Sequence, residues 1–191
     1  MRCMMCERLS WTHICSSCQQ SLLTPTLHKR EILGDIPVYS FFPYNDIEPL
    51  LLTKHTDLGY YMYTILAKRA LGEFAKNWQY ENYVASIGVD DHAASGYSHT
   101  AVLNRALKSQ NITPLFGKLR ASNPHKYAGK SAEERLMNPR QFRYKPFEEN
   151  EVILVDDIVT TGTTLSEAAE TLHGHGKKVI LCLTLTDAEN R

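Results

Sequence analysis

The stretch Val152-Ile-Leu-Val-Asp-Asp-Ile-Val-Thr-Thr-Gly-Thr-Thr164 decides how this chain is read. Four apolar residues form a buried strand, and two aspartates follow at its C-terminal end. In open α/β sheets that end is where ligands bind. The Thr- and Gly-rich loop then enters an amphipathic helix marked by Leu165, Ala168, Ala169 and Leu172. Backbone N–H groups of such a loop, aimed by a helix N-terminus, cradle an anion, and threonine hydroxyls add donors. Two carboxylates beside the cradle suit the vicinal hydroxyls of a ribose, or Mg²⁺. Together these parts describe a ribose 5-phosphate site. A capped helix after an acidic turn would explain one Asp and one Thr, but not two Asp and four Thr around a Gly.

Outward from this stretch, Glu151–Asp157, Leu165–Leu172 and Lys177–Leu185 read as strand, helix, strand. Ile36–Tyr44 and Val84–Val89 read as further strands. Residues 47–75 carry helical spacing, with Leu50, Leu51, Tyr61, Ile65, Leu66 and Leu71 as a core face, and Thr100–Lys108 reads as another helix. Residues 112–150 are polar and poor in periodicity. Strands alternating with helices predict an α/β fold, with a mostly parallel sheet flanked by helices.

The chain has 191 residues, 43% apolar and 22% charged, which suits one globular domain with a small appendage and excludes whole-chain disorder. Basic and acidic residues balance at 21 each, which excludes a uniformly basic nucleic-acid binder. There is neither an apolar run long enough for a membrane span nor a signal-peptide core, so a cytoplasmic protein is expected.

Four of the five cysteines, Cys3, Cys6, Cys15 and Cys18, lie in the first 18 residues as two Cys-x2-Cys knuckles. Each knuckle sets two thiolates on one side of a tight loop, and two knuckles supply four sulfurs for a tetrahedral, structural Zn²⁺. A redox dithiol would need only one such pair. His13 lies between the knuckles, but the four sulfurs already complete the set. The division expected is a zinc-binding head over 1–30 and an α/β domain over 31–191. Cys182 sits in an apolar strand and reads as inert core.

Residues 105–145 hold ten Lys/Arg and two acids, a window of +8 against −8 for the rest. Phe116, Tyr127, Phe142 and Tyr144 are interleaved with the cations. Basic groups with aromatic stacking faces match single-stranded nucleic-acid binding, with Lys118, Arg120, Lys126, Lys130, Arg135 and Arg143 as candidates. The same cations could instead close as a hood over pyrophosphate, or form a solvated surface. Ala128-Gly-Lys-Ser131 lacks the first glycine of a P-loop, because position 124 is Pro124. Ser131-x2-Glu134 reads instead as a capping box.

The 152–164 segment resembles the phosphoribosyl pyrophosphate (PRPP) signature of type I phosphoribosyltransferases. That resemblance implies that Asp156 and Asp157 take the ribose hydroxyls. It implies that Thr160, Thr161, Gly162, Thr163 and Thr164 take the 5′-phosphate, with Mg²⁺ accompanying PRPP. The chain as a whole is similar to the ComF/ComFC (GntX-like) competence protein family. The similarity rests on the cysteine head, Leu51-Leu-Thr-Lys54, and the run Arg120…Glu134-Arg135-Leu-Met-Asn138…Phe142 ahead of the signature. In place of the family's Pro-x-Pro and Arg-Gly-Phe-Asn-Gln segments stand Gly88-Val-Asp-Asp-His92 and Gly96-Tyr-Ser-His99, where the pyrophosphate-facing loop is expected. Asp90 and Asp91 there would need Mg²⁺ between them and a pyrophosphate, or else cap a turn.

The family resemblance implies a factor for DNA uptake in natural transformation. Such a factor binds PRPP and single-stranded DNA on the cytoplasmic side, peripheral to the inner membrane through partners. Its head would dock a ComFA-like helicase or other uptake machinery. Two alternatives remain. One is an active phosphoribosyltransferase of unknown acceptor, with Lys54, Arg120 and Arg135 as candidate catalytic residues stabilising the leaving pyrophosphate. The other is a regulatory binder that senses PRPP without turnover.

Overall fold

The computed structural model describes residues 1–89, 96–122 and 140–190. In chain order they form α1 (Ser16–Leu22), β1 (His28–Ile32), β2 (Ile36–Pro43), α2 (Tyr44–Leu51), a 3-10 turn (Leu52–His55), α3 (Asp57–Arg69) and α4 (Leu71–Asn77). There follow β3 (Val84–Gly88), α5 (His99–Arg105), β4 (Ile112–Leu115), β5 (Leu119–Ala121), β6 (Phe142–Tyr144), β7 (Glu151–Val159), α6 (Thr163–Gly174) and β8 (Lys178–Asp187).

Six strands make one sheet in the order β1-β2-β8-β7-β3-β4. Every neighbouring pair is parallel except β1 with β2, which form an antiparallel hairpin at the edge. The central strands are buried on both faces, as their unbroken apolar runs require. Ile153 and Val155 of β7 join one core with α2 to α5, while Val152 and Leu154 join a second core with α6. The mostly parallel sheet flanked by helices that the sequence predicts is borne out.

The topology places a crevice. From β3 the chain passes through α5 to β4 on one side, then returns to β7 on the other side of β3. Neighbouring strands whose onward connections run opposite ways open a gap between their C-terminal ends. The gap is widened because β3 stops at Gly88 beside Val155, whereas β7 runs on to Val159 against Asp187 of β8. The aspartates therefore lie within β7 rather than at its end, because the apolar Ile158 and Val159 keep pairing with β8.

The helical pattern over 47–75 is broken into pieces. Thr56 caps α3 by accepting from Gly59 N (3.2 Å), and the preceding residues tighten into the 3-10 turn that carries Lys54. Gly59 has no room for a Cβ, which would meet the Thr53 carbonyl and the Tyr97 hydroxyl. The polar middle also yields three strands that its weak periodicity hides. β4 joins the main sheet, and β5 with β6 makes a separate antiparallel ribbon.

The head is packed into the body. Cys3, Ile14, Cys18 and Leu23 belong to the same core as Phe41, Phe42 and Leu66. His13 stacks on Tyr61 of α3 with ring centroids 4.4 Å apart, and Arg69 Nε donates to the Leu23 carbonyl (3.2 Å). The sheet begins at His28, ahead of the boundary placed at residue 30.

A Gly→Ala change inside a helix ordinarily stabilises by up to about 1 kcal/mol. Gly59→Ala should do the reverse, costing about 1–3 kcal/mol through overpacking of the 3-10 turn. A lowered urea midpoint with an unchanged m-value checks this.

Candidate functional site

Asp156 and Asp157 are neighbours in β7 with opposite surroundings, because successive strand residues face opposite sides of a sheet. Asp157 is only 4% exposed. Its Oδ2 accepts from Tyr63 Oη (2.9 Å) and Lys54 Nζ (3.2 Å), and His99 Nε2 lies 3.8 Å away. Burial pushes this carboxyl up, but the charges of His99 and Lys54 and the Tyr63 hydroxyl outweigh it and leave it at about 2. Asp156 is half-buried, and its Oδ1 accepts from the Asp157 backbone N–H (2.8 Å). Burial and the neighbouring Asp157 charge hold it well above the usual carboxylate range. The two carboxylates titrate as a pair in which Asp157 is held the more acidic.

Asp156 shares a small recess with Thr160, Gly162 and Thr164. Gly162 precedes α6 with φ of 81°, a left-handed conformation that favours glycine. A Cβ there would meet Ile32 Cγ2 at 2.8 Å and Arg30 Nη2 at 3.3 Å. Gly162 supplies no side-chain cap to α6, and Thr163 N–H donates to Thr161 Oγ1 (3.5 Å), so among the first amides of this 12-residue helix it is those after Thr163 that are left to meet an anion. Thr161 and Thr163 hydroxyls bond each other at 2.9 Å.

The structure thus brings Asp156, Thr160, Gly162 and Thr164 to one recess and places Lys54 on Asp157. Arg120 and Arg143 lie elsewhere, as cross-strand partners on the β5–β6 ribbon. Lys118 Nζ donates to the Pro146 carbonyl (2.8 Å), and Arg143 Nε donates to Ser122 Oγ (2.9 Å). Lys126, Lys130, Arg135, Asp90, Asp91 and the Ser131–Glu134 capping box lie outside the described residues.

Sequence reasoning missed Tyr63 and His99, which reach Asp157 from α3 and α5. It also missed Arg30 of β1, which stands beside Gly162 while its Nη1 bonds both oxygens of the buried Asp187 (3.3 Å each). All three act across long sequence separations, so no local pattern announces them.

Ligand atoms of His99, Asp156 and Asp157 lie within 4.8 Å of one another. The two carboxylates suit a Mg²⁺ ion completed by a bound phosphate ester, whereas the imidazole suits so hard a cation less well. In the head, the four sulfurs also lie within 4.8 Å of one another, and Cys6 and Cys15 are 3.8 Å apart. Four sulfurs about 2.3 Å from a tetrahedral zinc would be separated by about 3.8 Å. The Cys15 N–H donates to Cys3 Sγ (3.3 Å), and that contact chiefly lowers the Cys3 thiol to about 6. A thiol ready to ionise fits a metal ligand. Glu7 follows the first knuckle with φ of 60°, the turn that closes it. Cys182 is fully buried, and burial pushes its thiol up, in keeping with inert core.

The phosphoribosyl transferase domain family model matches residues 126–191. That span, roughly the last third of the chain, contains β7, the Thr-Gly loop, α6 and β8. The architecture is a phosphoribosyltransferase-type α/β fold. Among solved structures, a hypoxanthine phosphoribosyltransferase from Staphylococcus aureus is similar at 20% identity and a TM-score of 0.40, over 68% of this chain and 65% of that one. An orotate phosphoribosyltransferase from Aeropyrum pernix is similar at 19% identity and a TM-score of 0.39, over 90% of this chain and 80% of that one. The chain thus spans slightly less than two thirds of the length of the hypoxanthine enzyme. No curated protein matches the chain. Among the described residues no helix is long and apolar enough to cross a membrane.

Two predictions follow from these geometries. Asp157→Asn leaves Lys54 without its buried partner and should destabilise by about 3 kcal/mol, whereas Asp156→Asn should be neutral or slightly stabilising. Because folding depresses the Asp157 value from 3.8 to about 2, its contribution is present above pH 3.8 and is lost as pH falls through 2. Acid unfolding curves of wild type and Asp157→Asn should therefore approach one another from pH 3.8 downward and converge below about pH 2. Cys15→Ser should lose tightly held zinc, read by elemental analysis, with a fall in melting temperature. One retained equivalent would refute the four-sulfur site.

Proposed function

We propose that this chain is a PRPP-binding protein of the ComF/ComFC type, acting with single-stranded DNA in natural transformation on the cytoplasmic side. The observation that carries the PRPP reading is the recess that joins Asp156 to Thr160, Gly162 and Thr164 at the start of α6. Loop amides and threonine hydroxyls would hold the 5′-phosphate, and the half-buried Asp156 would meet the ribose hydroxyls. Asp157 would act mainly through position, since Lys54, Tyr63 and His99 already occupy it. Mg²⁺ would balance the pyrophosphate charge, with the half-buried Asp156 as its protein ligand. The DNA-uptake part rests on the family resemblance, on the cysteine head as a docking module for a helicase partner, and on the basic, aromatic-rich middle of the chain.

A second reading, an active phosphoribosyltransferase of unknown acceptor, is favoured by the match of residues 126–191 to the phosphoribosyl transferase domain. In that case Lys54, 3.2 Å from Asp157, would be placed to stabilise leaving pyrophosphate.

Calorimetric titration of PRPP in the presence of Mg²⁺ tests the site. Wild type should bind, and Asp156→Asn with Thr161→Val should bind at least tenfold more weakly while keeping the wild-type melting temperature. Absence of binding by wild type would overturn the reading. Pyrophosphate release with a nucleobase or other acceptor would decide for the enzyme over the binder.

A further inference from the structure

A broad groove of about 1230 Å³ lies between α3–α4 and α5–β4, apart from the Thr-Gly loop. Small residues open it: Ala67, Gly72 and Ala75 on one wall face Ala101 and Ala106 on the other. Its lining holds four cations, Lys68, Lys76, Arg105 and Lys108, and no acidic residue. All four are exposed. Lys76 is paired with Glu73 (2.7 Å), while Lys68, Arg105 and Lys108 make no ion pair among the described residues. Three aromatic rings also face the groove. Tyr60 and Phe116 are 43% and 50% exposed, and Tyr97 stands edge-on to Tyr60 at 5.8 Å.

The combination points to one class of occupant. An apolar small molecule would use the alanine floor but leave four cations idle. An acidic peptide would use the cations but gain nothing particular from the exposed rings of Tyr60 and Phe116. A single-stranded nucleic acid uses both, with phosphates along the cations and bases stacked on the rings. A duplex has no splayed bases to stack. We propose that this groove is the surface on which the chain holds single-stranded nucleic acid. The proposal rests on the reading that the protein handles such a strand, and it moves the contact from the β5–β6 ribbon to the α3–α5 groove. One end of the groove lies at Tyr97, whose hydroxyl donates to the Lys54 carbonyl (2.6 Å). The other reaches Phe116, two residues before Lys118 at the foot of the ribbon. A strand in the groove therefore passes close to the turn that delivers Lys54 to Asp157.

The test uses the full-length, zinc-loaded protein and a fluorescein-labelled oligothymidylate of about 20 nucleotides, with anisotropy read across a salt series. Lys68→Glu with Arg105→Glu should weaken binding at least tenfold and lower the salt slope by about 1. Tyr60→Ala with Phe116→Ala should weaken it at least fivefold with the slope unchanged. Lys118→Glu with Arg143→Glu should weaken binding less than Lys68→Glu with Arg105→Glu does. PRPP titration and melting temperature confirm that each variant is folded. If the ribbon variant loses binding and the groove variants keep it, the groove is overturned while the nucleic-acid reading stands. If wild type binds no oligonucleotide, both fall. Competition by polyglutamate as effective as that by unlabelled oligothymidylate would also overturn the groove assignment, because stacking would then contribute nothing.

Discussion

The site is organised around a carboxylate that the sheet has taken out of water. Asp157 sits under α3 and α5, where an unanswered charge would cost several kcal/mol. It is answered three times, by an ammonium from the 3-10 turn, a phenol from α3 and an imidazole from the start of α5. Three separate elements must be in place before the charge is tolerated. The break between α2 and α3, the tight approach at Gly59 and the bond from Tyr97 to the Lys54 carbonyl all follow from delivering those groups to one point.

Asp156 shows what the same strand does one residue earlier. Strand alternation turns it to the α6 side, where it lines the recess with Thr160, Gly162 and Thr164, and pairing with β3 ends one residue before it at Val155. Two acids adjacent in sequence thus divide the work. Asp157 anchors the scaffold and stays ionised, while Asp156 stays reachable and holds its proton more tightly. The reachable edge of the sheet is thus already braced from behind.

Much of this was legible in the sequence, and the reason is periodicity. Val152–Val155 and Val179–Leu183 are apolar on both faces, as central parallel strands must be, so their place in the sheet could be read directly. The Asp-Asp and Thr-Gly spacing marked the strand end and the helix start. The strands β1, β4, β5 and β6 escaped because they are short or lie at edges, with one face wet and no sustained alternation. The helical run over 47–75 concealed a break, because the exposed 3-10 turn lies between two stretches that each keep helical spacing. Tyr63, His99 and Arg30 belong to the site through folding alone, each more than 50 residues away from its partner in the signature.

The sharing of one core between the cysteine head and the α/β body has a thermodynamic consequence. Cys3 and Cys18 pack with Leu66 in the cluster that also holds Tyr63, one helical turn from the bond to Asp157. A metal module tethered by a flexible linker could melt by itself and leave the rest untouched. Here the head has no private interior, so its sulfurs and the acidic pair belong to one cooperative unit. Amide protection along α3 is therefore set jointly by whatever fills the two ends of the molecule.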